Sequence, residues 1–137
     1  MALEIDGAGV PDLLSLAGFE PARIAPDTWR VRFHGHAGTF PLLVRGGSQG
    51  VITFAIVPYL RSPRSPGRAG PLYQRLLELN HRMLLAKFCI DDDLDVVLSA
   101  EWPVADMDRS EFADAIDVVT YYADRFFGEL EPLAAAS

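Results

Sequence analysis

From Trp29 the chain alternates. Trp29, Val31 and Phe33 are apolar while Arg30, Arg32 and His34 are polar, the period of two that sets one face of a strand on a core and the other in solvent. HGHAG reads as a turn, after which Phe40, Leu42 and Val44 resume the alternation. GGSQG reads as a second turn, and VITFAIVPY beyond it is β-branched and aromatic on both faces, as a more central strand is. Three strands so joined make an antiparallel meander. Pro41 removes a ladder donor from the middle one, which predicts an edge position or a bulge.

Elsewhere the spacing is helical. Leu13, Leu14 and Leu16 precede Gly18, a short helix with a glycine stop, and Pro21 and Pro26 then dictate extended or turn backbone. Residues 61–70, RSPRSPGRAG, carry no periodicity and read as a mobile connector, too short to divide two domains. Pro71 suits the first turn of a helix in which Leu72, Tyr73, Leu76, Leu77, Asn80, Met83 and Leu84 recur at three- and four-residue steps. AKFCI and DVVLSAEW then read as two strands joined through an aspartate cluster. Asp108 and Glu111 have the capping-box spacing ahead of a last helix that buries Phe112, Ile116, Val119, Ala123, Phe126 or Phe127, and Leu130. The sum is an α+β fold: an antiparallel five-stranded sheet with three helices, in the order α-β-β-β-α-β-β-α. Its 137 residues form a single domain, 1–137, with no internal repeat.

Composition narrows the function. Half the residues are apolar and 23% are charged, an ordinary globular balance. The longest apolar runs fall well short of the roughly 20 residues that span a bilayer, so no membrane partner is expected. MALEIDGAGV has acids where a secretory leader has basic residues, which predicts a cytoplasmic protein. The single Cys89 has no internal disulfide partner and reads as a half-buried strand thiol. The net charge of −7 is unevenly spread: residues 1–87 hold ten Arg or Lys against six acids, and residues 88–137 hold two against thirteen. Such an acidic chain repels phosphate backbones, so nucleic acid is not expected as a partner.

The candidate chemistry is sparse. Asp91, Asp93 and Asp95 open an EF-hand-like pattern that fails at Val96, where the turn needs Gly, and at Trp102, where a bidentate Glu is needed. The expectation is a tight hairpin turn with no metal. His34 and His36 form an H-x-H that lacks a third ligand, His81 reads as a helix-surface residue, and Cys89 sits in an acidic region that disfavours a thiolate. No catalytic residue, cofactor or phosphate loop is indicated. Arg30, Arg32 and Arg45 line the outer face of the meander as an anion patch or as ion-pair partners of Asp114, Asp117 and Asp124. Tyr73, Leu77, Met83 and Leu84 spread over more than one face of the second helix and mark a dimer or partner surface.

The stretch LYQRLLELNHRMLLAKFCIDDDLDVVLSAEWP resembles the core of the YbjN-like bacterial proteins, whose fold resembles type III secretion chaperones. The shared features are a helix ending in the LNH-like segment, a short AKF-type strand, an acidic turn, and a DVVLSAE-like strand before Pro103. The family turn more often carries Gly where this chain has Leu94. The resemblance implies helices packed on an antiparallel sheet, commonly a homodimer, and a role in protein binding or regulation, with no catalytic residues. The expected function is therefore a non-enzymatic, chaperone-like or regulatory adaptor that binds a protein segment. The alternative is a small-molecule or metal sensor using the sheet face with Arg30, Arg32 and His34. The dimer interface is expected on the second helix and the strands beside it, away from the acidic C-terminal third.

Overall fold

Residues 9–46, 50–105 and 107–135 are described by a computed structural model of the chain. The first helix, α1 (Val10–Leu16), buries Val10 and Leu14 and stops as Gly18 predicts. The Phe19 amide donates to the Leu14 carbonyl and the Gly18 amide to Ser15, each at 3.0 Å, with Gly18 at φ +92°. This Schellman closure needs a left-handed residue, which glycine supplies without a Cβ penalty.

Six strands follow, where the sequence pattern predicts five. They are β1 (Ala22–Ala25), β2 (Thr28–His34), β3 (Thr39–Arg45), β4 (Val51–Arg61), β5 (Ala86–Ile90) and β6 (Asp95–Pro103), all antiparallel in the order β1-β2-β3-β4-β6-β5. The additional strand is β1, whose four residues lie between Pro21 and Pro26 and have no alternating burial to betray them. Pro41 does not mark an edge strand either, since β3 lies inside the sheet. The β3–β4 ladder runs only from Leu42 to Arg45, so the missing Pro41 N–H costs no bond there. The irregularity is in β4, where the four steps from Ile56 to Leu60 oppose two steps of β6, from Leu98 to Val96. The expected GGSQG turn includes residues 47–49, which lie outside the described residues, as does most of the MALEIDGAGV segment.

The connector is shorter than predicted because α2 spans Pro66–Arg82 and takes up Pro66 to Gly70. Gly67, Gly70 and Pro71 are poor helix formers. The helix forms there because Ala69 and Leu72 are buried, and packing of an apolar face outweighs propensity. The remaining connector is also tied down: the Ser62 amide donates to the Leu94 carbonyl at 3.1 Å and Pro63 is buried. The last helix, α3 (Arg109–Ala134), starts at Asp108, whose carboxylate accepts the Glu111 amide at 2.8 Å. It buries the predicted Phe112, Ile116, Val119, Ala123 and Leu130, with both Phe126 and Phe127 half-buried.

The helices share one face of the sheet. There α3 lies across β4 and β6, and α2 packs on α3 and β5. The register stacks Trp29, Val44, Phe54, Ala100 and Ala86 in one row of that face and Val31, Leu42, Ile56, Leu98 and Phe88 in the next. Val10 and Leu14 of α1 join the same core. Tyr59 pins the sheet to α3, its hydroxyl donating to the Ala123 carbonyl at 2.7 Å. Burial, and then the nearby Asp124 and Glu129 carboxylates, push this phenol well above its ordinary pKa.

Candidate functional site

On the face away from the helices, Arg30 of β2 continues across the sheet into Leu43, Ala55, Ser99 and Lys87. Arg32 lies two residues along β2, and Arg45 of β3 is diagonal to Arg30. The three arginines predicted to form a patch are thus exposed on one surface. Among the described residues none of them is ion-paired, whereas Lys87 meets Glu101 at 3.1 Å. The predicted pairing with Asp114, Asp117 and Asp124 is not formed, because α3 lies on the other side of the sheet. Asp124 instead binds the β2–β3 turn, its carboxylate accepting the Ala37 amide at 2.6 Å. That bond, with the His36 amide and ring, holds the Asp124 pKa below the usual carboxylate range against partial desolvation. A Cβ on Gly35 would come within 2.6 Å of the same carboxylate and 2.8 Å of the Phe33 ring, so a side chain there would displace one or both.

A hollow of about 620 Å³ opens beside β2, between Arg30–His34 and the segment Gly18–Ala22. His34 sits at its end with Nδ1 3.0 Å from the Thr39 hydroxyl oxygen. His34 and His36 are both exposed, and among the described residues the only group with metal-ligand spacing is Asp91, Asp93 and Asp95. Their carboxylate oxygens lie within 4.8 Å of one another. One Asp91 oxygen accepts the amides of Asp93 (3.0 Å) and Asp95 (2.9 Å), so the cluster forms the hairpin turn that the sequence predicts. Val96 and Trp102, at the positions where an EF-hand loop would turn and close, belong to β6 and are carried away along it.

Of the four residues predicted as a partner surface, Leu77 and Leu84 are 69% and 73% exposed and Tyr73 is half-buried. Met83 is not on that surface: it is 7% exposed and packs in the core, because the chain turns there from α2 towards β5. Leu85 takes its place, 65% exposed and held at φ +69°. Cys89, predicted to be half-buried, is exposed on the edge strand β5. Two residues gain a role that periodicity does not give them. The Tyr122 hydroxyl accepts the Leu84 amide at 3.0 Å. Asn80 grips β5, accepting the Phe88 amide at 2.7 Å and donating to the Phe88 carbonyl at 3.0 Å. The signal for Asn80 was a lone amide on an otherwise apolar helical stripe.

The family model described as "Putative bacterial sensory transduction regulator", YbjN, matches residues 9–132. The chain belongs to the YbjN family. No curated protein matches it. Among solved structures, YbjN from E. coli superposes with a TM-score of 0.69 at 16% identity, over 93% of this chain and 96% of that one. A chain of the heterodimeric ExoU–SpcU complex, from the type III secretion system of Pseudomonas aeruginosa, gives 0.62 at 18% identity, over 93% and 99%. The YbjN fold with three helices on an antiparallel sheet is thus common to all three, loosely chaperone-like in form. Membership in a family described as a putative regulator is in keeping with a non-enzymatic role. No helix among its described residues is long and apolar enough to cross a membrane.

Proposed function

We propose that this chain is a cytoplasmic adaptor, chaperone-like or regulatory, that binds a segment of a partner protein and works as a homodimer. The observation that carries the reading is the apolar surface at the end of α2. Leu84 and Leu85 stand in solvent next to the Tyr121–Tyr122 pair, with Leu77 exposed on the same helix. Leu85 is also held in the left-handed region, which costs a leucine about 1–2 kcal/mol. An exposed leucine in that conformation recovers nothing from the fold, and burial against another chain offsets the cost. We place the dimer on α2 and the adjoining β5.

Light scattering at micromolar concentration tests the assembly: the expected mass is twice 15.0 kDa, and a monomer overturns it. Leu77→Asp is expected to split the dimer, and a dimer indifferent to it moves the interface elsewhere. For partner binding, the full chain is used to capture proteins from bacterial cytoplasm beside Leu84→Asp and Leu85→Asp. A protein held by the wild type and lost by both variants supports the adaptor. Equal retention by all three, or capture by none, counts against it.

A further inference from the structure

We infer that the outer edge of β2 accepts one added strand, an extended protein segment with acidic residues at alternate positions. The inference goes beyond the adaptor reading: it adds a second docking edge, at the border of the sheet away from the α2 surface, and names the chemistry of the segment taken there. Two hydrogen bonds fix the parity of β2: Gly35 N–H donates to the Gly38 carbonyl and Gly46 N–H to that of Asp27, both at 2.8 Å. Odd-numbered residues of β2 therefore exchange main-chain bonds with β3, and Arg30, Arg32 and His34 turn theirs to the other side. On that side β1 reaches Arg30 through Ala22 and ends. The pairing stops at Ala22, so among the described residues no strand on that side pairs with Arg32 or His34. The hollow of about 620 Å³ is the space so left.

An occupant has to match both the main chain and the side chains of that edge. Arg32 and His34 each present one N–H and one C=O, spaced as a ladder. A free phosphate would meet the N–H groups and the guanidiniums but leave the carbonyls without donors. An extended segment supplies both. Its side chains beside Arg32 and His34 fall on the cationic face, with Arg30 next along β2, where Glu20 is the one acid lining the hollow. Directly opposed unlike charges favour the pairing, so those positions are Asp or Glu. Its alternate side chains fall on the core face, beside the half-buried Phe33 and Phe19, and are apolar. The opposite edge of the sheet lacks this opening, because Asn80 already bonds both main-chain groups of Phe88.

The test uses the full chain and an acetylated, fluorescent peptide of alternating Glu and Val, with its Lys–Val counterpart and inorganic pyrophosphate as competitors. Saturable binding of the Glu–Val peptide is expected, with slowed exchange of the Arg32 and His34 amides. Arg32→Glu should weaken it by about tenfold. His34→Pro, which removes an outward N–H and leaves the β3 ladder intact, should abolish it. Equal binding of the two peptides, no binding of either, or unchanged exchange at the two amides overturns the proposal. Pyrophosphate binding without peptide binding also overturns it, in favour of a small-anion site. If His34→Pro fails to fold, amide exchange in the wild type decides. A cytoplasmic partner lost by Leu84→Asp but kept by Arg32→Glu would leave the adaptor standing and remove this edge from it.

Discussion

Leu94 sits at φ +64° in the β5–β6 turn, and its side chain is half in solvent. A glycine there avoids the Cβ clash, at the expense of a more flexible unfolded chain. Leu94→Gly is therefore expected to raise stability by about 0.5–1 kcal/mol, read as a higher denaturant midpoint at constant slope. Asp124 behaves in the opposite sense with acid. Its folded pKa is depressed, so its contribution is complete above the unfolded value of about 3.9 and is lost as pH falls through the lower folded value. In a His36→Gln background, which removes the neighbouring imidazole, the Ala37 amide resonance should hold still from neutrality to about pH 4 and shift only below it. Movement at pH 5 to 6 would mean that the carboxylate is not its partner.

At the scale of elements, α3 is the part most fully written in the sequence. Its cap, its stripe and its length all follow from residues three or four apart, and Asp108→Ala is expected to cost about 1 kcal/mol by thermal unfolding. The Asp91 turn was legible for the same reason: aspartate accepts bonds from amides two and four residues on, whatever surrounds it. The first turn of α2 was not. Gly67, Gly70 and Pro71 argue locally against a helix, and what overrides them is burial of Ala69 and Leu72 by distant elements. β1 escaped because four residues between prolines carry too little pattern, and it exists through pairing with β2. The candidate site divides likewise. That Arg30, Arg32 and His34 share a face follows from a period of two, but their open main-chain edge depends on where β1 ends, which no periodicity states. The exchange of Met83 for Leu85 on the surface has the same origin, since helical spacing was extended two residues past the point where α2 stops.

For the whole molecule, the two borders of the sheet are unequal. At β5 the Asn80 amide occupies the main chain of Phe88 as a neighbouring strand would. Asn80→Ala strips this cover from a half-buried site and is expected to cost about 1–3 kcal/mol. The freed border should also show itself in sedimentation velocity as concentration-dependent species larger than the wild-type assembly. A variant with wild-type stability and size would mean that the amide is dispensable. A dimer placed beside α2 then has to form by side-chain packing, because β5 offers at Phe88 no free groups for a sheet running on into a second copy. Growth of a sheet by templating needs two receptive ends. A molecule whose own helix stoppers one end can take on a strand at the other and stop, so it terminates a stack of sheets and cannot propagate one.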